Sequence, residues 1–142
     1  MDWHWQNTYS KHMTIRHILL LASIFAFACM STTAAESAAQ SESAAAIEYL
    51  LDSVAASDLK FMRNGKAHTG AEAAEHMRRK YKHFDDRIQS ADDFIDLAAT
   101  KSMLSGKKYT VRSADVEMAT ADWLRAVLAD YSSDINNSLE ST

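Results

Sequence analysis

A chain of 142 residues with 47% hydrophobic side chains is long and apolar enough to bury the core of one globular domain. Its formal net charge of −4 argues against nucleic acid as a partner, because a phosphate-tracking surface needs a basic excess. Three glycines and no proline favour helices, and a single cysteine excludes a disulfide framework.

Residues 1–35 have the order of a secretory signal peptide. Lys11, Arg16 and His17 precede an apolar run at 18–30, and Ser31-Thr32-Thr33-Ala34-Ala35 offers small residues for cleavage. The run is shorter than the roughly 20 residues of a membrane-spanning helix, so the mature form is expected to have no transmembrane span. Met13 is an alternative start to Met1, since Met13-Thr14-Ile15-Arg16 suffices as a basic leader. The expected localisation is periplasmic or secreted after cleavage. A lipid anchor at Cys29 is the lesser alternative, because Phe27 puts a ring where lipid attachment favours a small residue. After cleavage no thiol is left, and with it goes any thiolate metal site or cysteine nucleophile.

Residues 36–43 are polar and Ala/Ser-rich, which reads as a flexible mature N-terminus. A single globular domain is expected over 44–131. Ile47, Leu50, Leu51 and Val54 recur at helical spacing and predict a first helix over 44–57. Asn64-Gly65 is the strongest short signal for a two-residue hairpin turn, pairing Arg63 with Lys66 and Phe61 with His68. Thr69 and Glu72 form a capping box for a second helix that starts at Gly70 and runs to about Phe84. That helix buries Ala73, Met77, Tyr81 and Phe84 and carries His76, Lys80, His83 and Arg87 along one flank. Ser90 with Asp93 caps a third helix through about Met103, with Ala91, Phe94, Ile95 and Ala98 inward, and Ser105-Gly106 stops it. Residues 109–112 read as a strand, with 116–118 returning beside it. Thr120 is the expected cap of a last helix facing inward through Trp123, Leu124, Val127, Leu128 and Tyr131. Residues 132–142 read as a disordered tail. The fold class is α+β: a small, mainly helical domain of four helices with a short antiparallel β-hairpin sheet.

Four motif-like stretches fail on chemistry. Gly65 to Gly70 has the glycine spacing of a phosphate loop, but Ala71 and Glu72 stand where Lys and Ser/Thr are needed. Ser105-Gly106-Lys107-Lys108 matches a Ser-x-x-Lys pattern, yet Gly106 ends the helix that such a pair requires. His68, His76 and His83 lack the convergent spacing of metal ligands. The basic run Arg78-Arg79-Lys80-Tyr81-Lys82 suits an anionic envelope surface better than nucleic acid in an exported protein. No cofactor and no metal are expected.

Six ordered blocks carry a resemblance: Ile47-Glu48-Tyr49-Leu50-Leu51; Phe61-x-Arg63-Asn64-Gly65; Ala73-Ala74-x-His76-Met77; Ala91-x-Asp93-Phe94-Ile95; Ser102-x-x-Ser105-Gly106-x-x-Tyr109-x-Val111-Arg112; and Trp123-Leu124. Together they resemble the bacterial domain-of-unknown-function family 5329, the YfeK-like small exported proteins, over residues 46–131. Ser113-Ala114-Asp115 departs from the Pro/Gly turn of many relatives. The resemblance implies export and a compact domain and brings no catalytic residues.

The function expected is a non-catalytic binding or interaction module of the cell envelope. Its partner is expected to be an anionic envelope molecule or another envelope protein. The candidate ligand-binding residues are Arg63, His76, Lys80, Ser105 and Arg112, on the expectation that sheet and second helix bring the cations together. Asp93, Asp96 and Glu48 are the internal carboxylates that would otherwise neutralise them. The rival reading is a small envelope hydrolase with His76 as base and Ser102 or Ser105 as nucleophile. Intact-mass measurement of protein from the cell envelope should give a chain that starts near residue 36. A mass that retains 18–30, or carries lipid on Cys29, contradicts the cleavage reading.

Overall fold

The computed structural model describes residues 30–114 and 116–141. The leader features at Lys11 to Cys29 lie outside the described residues. Residues 40–142 form one compact unit, and the helical residues before it belong to another. Helix α1 spans Met30–Ala56 and so includes residues 36–43, where the composition suggested an irregular start. Side chains 34–42 are exposed there, so intrinsic propensity rather than packing accounts for the helix. From Ala46 onward the inner face is buried through Ile47, Leu50, Leu51 and Val54.

Strands β1 (Lys60–Arg63) and β2 (Lys66–His68) pair antiparallel in the expected register, Arg63 with Lys66 and Phe61 with His68. Asn64 and Gly65 take φ of 53° and 81°, the double left-handed geometry that matches strand twist. Helix α2 spans Gly70–His83, and both arms of the Thr69–Glu72 capping box are made. Gly70 has a second task. A Cβ there would lie 2.2 Å from the Val54 carbonyl oxygen and 2.7 Å from that of Ser57, so glycine lets α2 start against the end of α1.

Helix α3 (Ala91–Phe94) is capped by the Ser90 side chain and continues as a wide π-type turn over Ile95–Ala99. The expected extension to Met103 does not form. The wide turn buries Ile95, Ala98 and Ala99, and the Thr100 hydroxyl donates back to the Ile95 carbonyl. The chain then leaves the helix, and Lys101 makes an isolated antiparallel bridge with Lys108.

Strands β3 (Thr110–Ser113) and β4 (Val116–Ala119) complete a four-stranded sheet in the order β2-β1-β3-β4. Phe61 opposes Val111, and both are buried on the inner face. Lys60 opposes Arg112, which alternation sends to the other face. Ala114 takes φ of 44°, so the turn after β3 bends through the left-handed region without a glycine.

Helix α4 spans Thr120–Glu140. Thr120 is not its cap: Ala119 holds that position without a side-chain bond, and Thr120 is the first helical residue. The helix also runs through the segment read as a tail, with Ser132 and Ser133 hydroxyls donating to carbonyls four residues back. Leu124 is fully buried, and Trp123 meets Phe61 edge-on with ring centroids 5.7 Å apart. Among the described residues no helix is long and apolar enough to cross a membrane.

A Cβ at Gly65 would meet nothing within 4 Å, so substitution there tests backbone conformation alone. Gly65→Val should destabilise the domain by roughly 1–3 kcal/mol, measured by thermal unfolding. An unchanged midpoint contradicts this turn.

Candidate functional site

The β1–β2 hairpin, α2, Tyr109 and the start of α4 surround one open recess of about 20 Å³, room for about one water molecule. Phe61, Met62, Ala73 and Met77 give it an apolar lining, and Arg63, His68, His76, Tyr109 and Thr120 supply the polar groups. Phe61 and His68 are cross-strand partners, and His68 also reaches Glu72, at 3.6 Å, across the capped turn. His76 lies one helical turn before Lys80 on α2, so the two share a face.

Tyr109 is the hub. Its backbone N–H donates to the Thr100 carbonyl and its carbonyl accepts from Thr120 N–H, which fixes it between the 100–108 loop and α4. Its hydroxyl is 3.2 Å from His76 Nε2. Burial pushes the Tyr109 phenol up, against smaller downward pulls from the Arg63 charge and a hydrogen bond with Ser102. His76 is pushed down to about 4, first by burial and then by the positive charges of Arg63, Lys80, Arg79 and His68. The imidazole is therefore neutral at pH 7. Which group donates across the contact follows the tautomer of the neutral ring: the phenol donates when Nδ1 carries the proton, and Nε2–H donates otherwise.

Lys80 is only 6% exposed. Its ammonium donates to the Lys101 carbonyl at 3.0 Å and sits 5.4 Å from the Tyr109 ring centre. Burial, then repulsion from Lys101, lowers it to about 8. Arg63 is half-buried and, among the described residues, makes no ion pair and no side-chain hydrogen bond.

The expected cluster is thus assembled in part. Arg63, His76 and Lys80 gather around Tyr109. Arg112 does not join them: it lies on the opposite face of the sheet and pairs with Glu117 at 2.6 Å. Ser105 is spent on structure, its hydroxyl 2.6 Å from Asn64 Oδ1, which clasps the 100–108 loop to the hairpin turn. The carboxylates named as internal partners go elsewhere. Glu48 faces Arg78 at 3.7 Å, Asp96 binds Arg125 at 2.6 Å, and Asp93 accepts from Ser90. His76 meets Tyr109 rather than Ser102 or Ser105, so the serine–histidine pair of the hydrolase reading is not assembled. Among the described residues no group of three or more His, Cys, Asp or Glu side chains could hold a metal ion.

Sequence reasoning missed Tyr109, His68 and Thr120. For Tyr109 a signal existed: it alternates with Val111, and Val111 pairs with Phe61 on the inner face. Thr120 looked like a helix cap, which hid its place in the recess.

The model of a family described as "Family of unknown function (DUF5329)" matches residues 41–132. The chain belongs to this family. "Uncharacterized protein YfeK" of Salmonella typhimurium (strain LT2) is 46% identical over 52 residues, 37% of this chain and 43% of that protein. The chain thus spans less than half the length of this curated relative. No solved structure matches. The DUF5329 match contains all six sequence blocks and every group lining the recess. Membership fixes neither an activity nor a ligand.

Proposed function

We propose that this DUF5329 domain is an exported binding module of the cell envelope, without catalysis, whose recess holds the anionic group of an envelope molecule. Export is supported by the basic, apolar and small-residue order of residues 1–35. The anion reading is carried by one observation: Arg63 is a half-buried cation lining the recess with no carboxylate partner among the described residues. The charged neighbours that bear on His76 are all basic; Arg79 pairs with Glu75 and His68 with Glu72, which leaves Arg63 as the recess-lining cation without a carboxylate among the described residues. Holding like charges together is unfavourable unless an anion joins them, and a guanidinium can fork two oxygens of a carboxylate or phosphate. The neutral His76 and the Tyr109 hydroxyl add hydrogen-bonding groups at no cost in repulsion.

Titration of inorganic phosphate and propionate into labelled protein, followed by amide shifts, tests this. Shifts should concentrate in β1 and α2, and Arg63→Ala should weaken binding about tenfold or more, the scale of a lost charge-assisted hydrogen bond. Arg112→Ala, on the far face, should bind as the wild type does. Equal binding by wild type and Arg63→Ala, or no shifts with either anion, overturns the reading.

A further inference from the structure

Between the π-type turn and β3 the chain makes a small hairpin of its own, and its tip is apolar. Lys101 and Lys108 face each other across an antiparallel bridge. Ser102 N–H donates to the Lys107 carbonyl at 2.9 Å, and Tyr109 N–H to the Thr100 carbonyl at 2.9 Å. Gly106 N–H closes the tip onto the Ser102 carbonyl at 2.9 Å, with Gly106 at φ of 67°. The Ser105 hydroxyl then ties the tip to Asn64 in the β1–β2 turn. The tip is thus held from within and from the side, and it presents Met103 and Leu104 to solvent, 59% and 99% exposed.

A lone surface leucine is ordinary and asks for no explanation. The surroundings set this one apart. The hydrogen bonds at the bridge run from the neighbouring residues, so Lys101 and Lys108 form a non-hydrogen-bonded pair, the kind whose side chains lie closest together. Like charges directly opposite each other are destabilising. Both lysines are exposed, as are Lys107 beside them and Lys66 two residues beyond Asn64. None of the four makes an ion pair among the described residues. The sequence supplies no local partner either: residues 59–71 and 97–114, which include both clasped hairpins, contain no Asp or Glu.

We infer that this corner docks onto a bilayer surface that contains anionic lipid, with Leu104 and Met103 entering the boundary between headgroups and acyl chains and Lys66, Lys101, Lys107 and Lys108 on the phosphates around them. Each half of the patch matches one half of such a surface. An aliphatic tip gains from leaving water only where hydrocarbon is present, and a soluble polyanion offers none. A lysine keeps its ammonium at the headgroups while its stem covers apolar surface, so it gains from the negative charge without being dehydrated. Four lysines with two apolar side chains suit reversible attachment rather than insertion. The inference stands apart from the recess, since it needs neither Arg63 nor an anion bound there.

The test is co-sedimentation of the protein, as processed and recovered from the cell envelope, with vesicles of phosphatidylcholine alone or of phosphatidylcholine and phosphatidylglycerol in equal parts. Wild type should bind the anionic vesicles and not the neutral ones. Lys107→Gln should weaken that binding about fivefold, the contribution of one lysine near an anionic surface, while Lys82→Gln on α2 should change it by less than about twofold. Leu104→Ser should weaken it about tenfold, the scale of returning a buried leucine to water. All three side chains are exposed and every variant shares the wild-type N-terminus, so differences in binding report the loop. Loss with Lys107→Gln but not with Leu104→Ser makes the partner a soluble polyanion and overturns the inference. An equal loss with Lys82→Gln assigns the attraction to overall charge and overturns it too. So does equal binding to neutral vesicles, or no binding to anionic ones.

Discussion

The pairing of β1 with β3 is the contact on which the rest of the domain depends. It places Phe61 opposite Val111, joining a hairpin near the start of the domain to one near its end across about 50 residues of sequence. Closing a loop of that length costs entropy that only burial can offset, and the burial is there. Phe61 and Val111 belong to the same buried cluster as Leu50, Leu51, Phe94 and Leu124. The same pairing brings Arg63 next to Tyr109 and Thr120. Without it the recess does not exist, because no single element carries more than part of its lining.

Around that recess the distribution of charge is uneven. Glu48 and Asp52 serve Arg78, Glu75 serves Arg79, Asp92, Asp96 and Asp122 surround Arg125, and Glu117 holds Arg112. These pairs are exposed, and each contributes little to stability. The cations at the recess are treated differently. Lys80 is withdrawn from water onto a backbone carbonyl and an aromatic face, and Arg63 has no carboxylate partner among the described residues. Three elements thus converge on a place where Arg63 and Lys80 are buried or half-buried and, among the described residues, the nearby carboxylate of Glu72 faces His68 rather than either of them. On the proposed function, an anion would offset the repulsion among these cations.

Local chemistry made most of the fold legible before any coordinates. The Asn64-Gly65 turn, the Thr69–Glu72 box and the Ser90 cap each depend on residues close in sequence, and each formed as read. The third helix was overextended because nothing in its periodicity signals a π-type turn at Ile95–Ala99. The site was harder for the same physical reason. Arg63 and Arg112 both lie in strands of one sheet, but strand parity and register decide which face each occupies, and the register of β1 on β3 is a long-range fact. Thr120 and Tyr109 were overlooked because their importance lies in what surrounds them, and that is fixed only once α4 docks.

The most direct test of the positive charge that Arg63 brings to the recess is the titration of the His76 ring by NMR in wild type and Arg63→Ala. The folded imidazole is pushed down to about 4, from an ordinary value near 6.5, by burial and then by Arg63 and its basic neighbours. Between those two values the unfolded chain binds a proton that the folded chain does not, so acidification through that window favours unfolding. The wild-type ring should titrate near pH 4, and in Arg63→Ala it should titrate higher, because one of the repelling charges is gone. An ordinary value in the wild type, or the same depressed value in both proteins, would contradict the account.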